Sequence, residues 1–228
     1  MHVCRLLLLL LFLNLFPTAT FSQTDKKVAD QRAVELRGTV TAERAWWDLR
    51  RYDLKIEVDP ESRTIHGTNQ ITFVPLSLGK RLQIDLQAPL KIEWVKAGER
   101  ELKFVREGNA YFVELPNDLK VGTASSIIVK YGGKPIVAEN PPWSGGVSWQ
   151  KDEKGCHFIA TSCQGIGASV WWPNKDHGYD EPDQGMSIQI TVPEDLVAVS
   201  NGRLKEKLHD PKKQTRTYLW EVTNPINN

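Results

Sequence analysis

The feature that most constrains this fold is a two-residue alternation of apolar and polar side chains, repeated in many short segments. Its clearest instance runs from Tyr52 to Val58, where Tyr, Leu, Ile and Val alternate with charged residues. Such a period is typical of a strand with one buried face, because successive side chains of a strand point to opposite sides. Residues 59–62 (Asp-Pro-Glu-Ser) favour a turn, and Ile65, Ile71 and Phe73 continue a partner strand. These residues predict a β-hairpin.

Similar segments recur along the chain at intervals of about 8–12 residues, separated by Gly, Pro and Asn. The further expected strands are 82–86, 92–95, 102–105, 111–115, 126–131, 158–161, 186–192, 197–201 and 217–222. Roughly a dozen strands with hardly a helix predict an all-β fold, an antiparallel saddle or sandwich. The segments 140–149 and 165–183 are too rich in Gly, Pro or charge for this pattern and are predicted to be loops.

The first 22 residues have the layout of a secretory signal peptide. Arg5 supplies a positive charge, Leu6 to Phe16 are apolar except for one Asn, and Thr20 and Ser22 are small residues before a cleavage site ahead of Gln23. A membrane anchor is the alternative, but a spanning helix needs about 20 apolar residues. We therefore expect export to the periplasm, cell surface or exterior, with no membrane span left after cleavage.

The rest of the chain is expected to contain one large domain. Residues 23–40 are polar and of mixed charge, which predicts a linker or a short surface helix. Residues 41–228 form the predicted β-rich domain. At its start, Thr41 is a fair N-cap for a short helix that carries Trp46 and Trp47 towards the sheet.

The charge balance gives no sign of a nucleic-acid partner. The signal segment holds one basic residue and no acidic one, so cleavage would leave equal numbers of basic and acidic residues. Nucleic-acid affinity comes largely from neutralised phosphates. A domain without a basic excess is therefore not expected to bind nucleic acid.

The cysteines that remain after cleavage, Cys156 and Cys163, are predicted to stay unpaired. If residues 157–161 form a strand, the two lie about 23 Å apart at ~3.3 Å per residue. A disulfide needs Cα atoms within about 7 Å. Only a hairpin within this short segment would bring the two thiols together.

The sequence contains none of the motifs H-E-x-x-H, C-x-x-C, G-x-S-x-G or G-x-x-x-x-G-K-[ST]. Asp176, His177, Asp180 and Glu181 crowd potential metal ligands into one loop, although such crowding is more often a salt-bridged turn.

Cys163 and His157 are a possible nucleophile and base. On one extended strand, however, they would lie nearly 20 Å apart, at ~3.3 Å per residue. Neither this pair nor the acidic loop amounts to a recognisable catalytic centre.

One segment resembles a known family. Residues 161–173 (TSCQGIGASVWWP), followed by Asp176-His177 and the run 180–183 (DEPD), resemble a signature near the end of the amino-terminal domain of the aminopeptidase N family. This is peptidase family M1, zinc metallopeptidases of the gluzincin type. Further similar segments, particularly to bacterial secreted members, are 45–48, 51–53, 142–146, 199–202 and 223–226.

The resemblance implies a saddle-shaped β domain packed against a thermolysin-like zinc domain of the same polypeptide. It also implies that Gln164 helps to hold the free α-amino group of a peptide substrate, next to a loop containing Gly165, Gly167 and Ala168. The family's zinc motif and its Gly-Ala-Met-Glu-Asn motif belong to the following domain, and neither occurs in this sequence.

The expected function is thus that of an amino-terminal, substrate-anchoring fragment of a zinc aminopeptidase, which removes amino-terminal residues from peptides. No catalytic residue, metal ligand or cofactor is expected in this chain. Zinc is expected in the full-length protein, and the fragment alone is expected to be inactive.

A second interpretation belongs to a different class. The chain would be a stand-alone secreted β-sandwich that binds peptide or carbohydrate through Trp143, Trp149, Trp171 and Trp172, because aromatic faces on loops suit stacking. The gene downstream of residue 228 distinguishes the two. An open frame that runs into H-E-x-x-H favours the peptidase, and a stop codon favours the binding module.

Overall fold

A computed structural model of the chain describes residues 23–226. The predicted signal peptide lies outside these residues. Two helices, α1 (Gln23–Gly38) and α2 (Ala42–Ala45), precede the strands. The strands are β1 (Trp47–Asp59), β2 (Thr64–Pro75), β3 (Arg81–Asp85), β4 (Lys91–Ala97), β5 (Arg100–Leu102), β6 (Phe104–Glu107), β7 (Ala110–Glu114), β8 (Ser125–Gly133), β9 (Gly146–Lys151), β10 (His157–Ser162), β11 (Met186–Pro193), β12 (Arg203–Asp210) and β13 (Thr215–Val222). The predicted mostly-β fold is confirmed.

The strands form one large sheet and two small ones. The large sheet has eight strands in the order β12-β13-β11-β1-β2-β8-β4-β5. A three-stranded sheet, β3-β7-β6, and a hairpin of β9 and β10 pack against it. The expected antiparallel pairing holds between the named strands except for β1 and β11, which run parallel. The large sheet is therefore mixed.

The main core lies between the large sheet and the two smaller ones. Its fully buried members include Leu54 of β1, Ile71 of β2 and Val129 of β8 from the large sheet. Ile84 of β3 and Val147 of β9 meet them from the small sheets. The alternation seen in the sequence thus produces the inward face of each strand.

Strand β1 begins at Trp47, five residues before the alternation that starts at Tyr52. Its register shifts between Leu49 and Arg51, so Arg50 is an extra residue and the buried face moves from Leu49 to Tyr52. A β-bulge of this kind breaks the two-residue period without ending the strand. Trp47 consequently belongs to β1, whereas the sequence placed it in the short helix.

Three further segments differ from the sequence prediction. Residues 197–201 were expected to form a strand, but they are irregular, and β12 follows them at Arg203. The exposed edge strand β12 is mostly charged or polar and lacks an apolar face, which is a common way to protect a sheet edge. Strand β9 begins inside the segment 140–149, which is predicted to be a loop, and continues two residues past it to Lys151.

Helix α1 packs on the three-stranded sheet through one buried residue. Leu36 is 4% exposed and lies with Ala110 and Phe112 in a small apolar cluster.

Within residues 23–226, no helix is long and apolar enough to cross a bilayer.

We expect the Phe73→Ala substitution to lower the free energy of unfolding by about 3–5 kcal/mol. Phe73 is fully buried, and its ring meets Trp46 and Trp47 edge-on at centroid distances of 6.2 and 5.7 Å. Urea denaturation of the 228-residue chain measures the loss. The matched control is Phe158→Ala, because Phe158 is 60% exposed and its loss should cost less than about 1 kcal/mol. Equal losses at both positions would contradict the proposed core.

Candidate functional site

Gln164 lies in the tight turn that follows β10. The amides of Ile166 and Gly167 both donate to the carbonyl of Cys163, at 3.2 and 2.9 Å. Gln164 is exposed, whereas Ala168, which starts a short 3₁₀ turn, is buried. The loop of residues 163–169, called here the Gln164 loop, therefore presents Gln164 to solvent and ends in the core.

The two glycines of the Gln164 loop have different requirements. Both adopt left-handed backbone conformations, with φ of 72° at Gly165 and 82° at Gly167, which glycine reaches without a Cβ penalty. A Cβ at Gly167 would also lie 2.2 Å from Oδ2 of Asp176, while one at Gly165 would meet open space. Gly167 is thus needed for its conformation and for its close approach to Asp176.

Two side chains from other parts of the chain hold the inner end of the loop. The Gln87 amide donates to the carbonyl of Ile166 and, at 3.0 Å, to Oγ of Ser169. The carboxylate of Asp176 accepts the backbone amide of Ser169 at 3.1 Å. Gln87 is only 8% exposed. These bonds satisfy the polar groups of the loop where it enters the core.

A buried ion pair lies behind these contacts. The guanidinium of Arg44 binds Oδ2 of Asp85 at 2.7 Å, and their side chains are 0% and 8% exposed. The Asp85 carboxylate also accepts the amide of Asp176 at 3.0 Å and the side-chain amide of Gln83 at 2.8 Å. Burial raises the pKa of Asp85, while Arg44 and these donors oppose the rise. The Asp85 carboxylate of this pair thereby holds the backbone at Asp176.

A second buried cation lies nearby. Nζ of Lys175 donates to the carbonyl of Trp47 at 2.8 Å, pairs with Asp180, and sits 3.8 Å from the centroid of the Trp47 ring. Burial lowers the pKa of Lys175 to about 8, and Asp180 acts in the opposite direction. Asp180 also accepts the amide of Leu49 at 3.2 Å. Lys175 and Asp180 thus attach residues 175–180 to the start of β1.

The metal candidates of this loop take part in separate contacts. Asp176 binds the Gln164 loop and Asp180 binds Lys175, whereas Nδ1 of His177 accepts the amide of Tyr179 at 3.2 Å. Among residues 23–226, no three His, Cys, Asp or Glu side chains are grouped so as to hold a metal ion. The sequence proximity of Asp176, His177, Asp180 and Glu181 therefore does not create a ligand set.

The Cys163–His157 pair does not assemble either. His157 is the first residue of the extended strand β10, and Cys163 directly follows its last residue. Nε2 of His157 lies 2.9 Å from a carboxylate oxygen of Glu61. Cys163 is partly buried, and this burial raises the pKa of its thiol, which opposes formation of a nucleophilic thiolate. Cys156 and Cys163 are both free thiols.

The four tryptophans of the binding-module interpretation do not share an exposed surface. Trp143 is 73% exposed, but Trp172 is 2% exposed and meets Tyr52 edge-on at 4.9 Å. Trp149 and Trp171 are partly buried and pack against the main core. The aromatic platform that the binding-module interpretation requires is therefore not formed.

Two residues that contact the Gln164 loop are not indicated by any sequence pattern. Arg37, in the last turn of α1, donates to the carbonyl of Gly165, and Gln87 binds the loop's inner end. An open pocket of about 540 Å³ is lined by Arg37, Gly38, Gly165, Gly167 and Asp176, among others. These contacts join positions 79 to 128 residues apart, so no local pattern could reveal them.

Comparison with known protein families places most of the chain in one of them. Residues 49–227 match the peptidase M1 N-terminal domain. This range includes β1 to β13 except the first two residues of β1, together with the Gln164 loop. Helix α1 and helix α2 lie outside it.

Similar solved structures include an M1 zinc metallopeptidase from Deinococcus radiodurans, with 19% identity, a TM-score of 0.65, and coverage of 82% of this chain and 41% of that chain. A mutant of the Deinococcus enzyme bound to a Tyr-Ser-Ala substrate gives a TM-score of 0.64 at 19% identity, covering 82% of this chain and 42% of that one. Leukotriene A4 hydrolase from Saccharomyces cerevisiae gives 0.61 at 16% identity, with coverage of 86% and 31%. At these identities the likeness concerns the fold, and the chain spans less than half the length of each structure.

We expect Gly167→Ala to destabilise the chain more than Gly165→Ala. Both substitutions place alanine in a left-handed conformation, which costs about 1–2 kcal/mol. At Gly167 the new methyl group must also displace the Asp176 carboxylate from the Ser169 amide, which adds about 1–3 kcal/mol. Urea denaturation of the two variants measures the difference. Equal losses would show that Asp176 does not pack against Gly167 as described.

Proposed function

We propose, because this chain belongs to the peptidase M1 N-terminal domain family, that it is the substrate-anchoring domain of a zinc-dependent aminopeptidase. In this proposal, Gln164 accepts a hydrogen bond from the free α-amine of a peptide. The hydrolytic step takes place in a zinc domain that lies downstream in the same polypeptide. The observation that carries the proposal is the exposed Gln164 on a loop fixed at its base.

The chemistry of Gln164 suits this role. A free α-amine is an ammonium group that carries only donors, and the carbonyl of a glutamine side chain is an acceptor. It can meet the ammonium without adding a charge to the site. The neighbouring Gly165 has no side chain, so a substrate can approach the backbone closely.

The hydrogen-bonded base of the loop supports the same proposal. A binding group is effective when its support holds it in the productive position before the ligand arrives. Gln87 and Asp176 bind the inner end of the Gln164 loop, and the Arg44–Asp85 pair holds Asp176. The tip can therefore face a substrate without reorganisation of the core.

The described end of the chain lies close to the loop. Pro225 and Ile226 line the same cavity as Cys163 and Trp171, the first of which begins the Gln164 loop.

Exposed apolar side chains on the same side of the domain support a partner domain. Phe158, Val197 and Val199 are 60%, 67% and 76% exposed and line one groove, which also includes Trp171. Contiguous apolar surface is typical of interaction sites. We assign this groove to the zinc domain of the same polypeptide.

The described residues, 23–226, do not fit a zinc site of their own. A catalytic zinc ion takes three protein ligands, and residues 23–226 offer no such group. In this proposal, the part of these residues in the reaction is to bind and orient the peptide. The apolar segment at its start supports export of the whole protein.

In the protein extended by its zinc domain, Gln164→Ala should lower kcat/KM for free peptides about tenfold to a hundredfold. A hydrogen bond to a charged group contributes about 1.5–3 kcal/mol, which corresponds to this range. Hydrolysis of an amino-acetylated peptide should change little, because it lacks the ammonium group. Steady-state kinetics with paired free and acetylated substrates measure the discrimination.

Two variants serve as controls for this experiment. Gln164→Glu retains the acceptor and should preserve most of the activity. Gln150→Ala removes another exposed glutamine, on β9 outside the loop, and should leave the discrimination unchanged. If Gln164→Ala also leaves it unchanged, Gln164 does not bind the α-amine.

The purified 228-residue chain alone should retain no stoichiometric zinc and should not hydrolyse an amino-acid amide. The reason is the missing ligand set. Elemental analysis by mass spectrometry after dialysis, together with an amidase assay, tests both parts. One zinc ion per chain with activity that a chelator abolishes would overturn the assignment of the chemistry to another domain.

A further inference from the structure

Helix α1 lies outside the family-matched residues 49–227, yet its last turn is firmly attached to the domain. The carbonyl groups at the end of a helix lack partners within it. Here, Gln83 donates to the carbonyl of Leu36 at 3.0 Å, and Arg44 donates to the carbonyls of Arg37 and Thr39 at 3.3 and 2.8 Å. Buried side chains from the domain thus cap the end of α1.

This attachment brings one side chain of α1 to the candidate site. The guanidinium of Arg37 donates to the carbonyl of Gly165, the residue directly after Gln164. Gln87 and Asp176 bind the other end of the loop, at Ile166 and Ser169. Arg37 therefore holds the outer part of the loop, at Gly165.

We infer that α1 is part of the substrate site and that Arg37 is a positioning residue for Gln164. Arg37 acts through the Gly165 carbonyl and does not itself accept the α-amine, since a guanidinium has no acceptor and carries the same charge as an ammonium. Its bond restrains a left-handed glycine, the residue type with the greatest backbone freedom. This inference rests on the proposed role of Gln164.

The matched control is on the same helix. Arg32 forms ion pairs with Glu35 and Glu107 at 2.9 and 3.0 Å, and its side chain is 40% exposed. Arg32→Ala weakens the docking of α1, whereas Arg37→Ala removes the contact with the loop. Comparing the two separates a general effect of the helix from a specific effect on Gln164.

The first measurement is hydrogen exchange of the 228-residue chain. Arg37→Ala should accelerate exchange of the Ile166 and Gly167 amides about threefold to tenfold, the range expected for the loss of one ordinary hydrogen bond. Arg32→Ala should leave these amides within about twofold of the wild type. Arg37→Lys, which retains a donor and the charge, should recover part of the protection. Equal exchange in the two alanine variants would overturn the positioning role.

The second measurement is kinetic and uses the protein extended by its zinc domain. Arg37→Ala should raise KM for a free peptide about threefold to tenfold and leave kcat nearly unchanged, because α-amine binding weakens without altering the hydrolytic groups. Faster exchange without a change in KM would overturn the link to substrate binding. If Gln164→Ala is also without effect, the proposed function itself fails. If Gln164→Ala is effective and Arg37→Ala is not, only the present inference fails.

Discussion

The buried ion pair between Arg44 and Asp85 joins the parts of the molecule on which the candidate site depends. Arg44 belongs to the short helix α2, and Asp85 is the last residue of β3. The guanidinium also binds carbonyls at the end of α1, and the carboxylate accepts the amide of Asp176. Because removing one partner of a buried pair leaves an uncompensated charge, such a pair commonly costs about 3–5 kcal/mol to break. One interaction therefore couples the helix, the small sheet and the loop segment.

This coupling explains how an irregular segment can support a defined site. Residues 163–183 contain little regular structure, so sheet hydrogen bonds cannot hold them. Side chains replace those bonds: Gln87 and Asp176 satisfy the Gln164 loop, and Lys175 with Asp180 ties the next turn to β1. Polar contacts thus fix the buried base of the loop, whereas Gln164 at its tip is exposed.

The sequence predicted the parts of the fold that depend on local periodicity. The strands β1, β2 and β11 have clear apolar alternation, and all three form the centre of the large sheet. The alternation did not predict strands where an extra residue or an edge position changes which side chains are buried. An extra residue at Arg50 hides the start of β1, and β12 has no apolar face because it lies at an edge.

The site was less accessible to sequence reasoning than the fold. Resemblance to a family indicated Gln164, but nothing in the sequence linked Gln164 to Arg37 or Gln87. These partners are chosen by the folded backbone, and their side chains bind main-chain carbonyls, which every residue type possesses. The residue type at the accepting position therefore does not reveal such a contact.

The arrangement also bears on which of the two candidate functions fits the chain. A module that binds sugar or peptide alone needs its aromatic rings on one exposed surface, and Trp172 lies in the core. The exposed side chain of Gln164 offers one acceptor, and a single hydrogen bond to an ammonium is too weak to hold a peptide by itself. Such an acceptor becomes effective when a second surface supplies the remaining contacts. One exposed acceptor is therefore more consistent with the two-domain site proposed above than with a self-sufficient binding site.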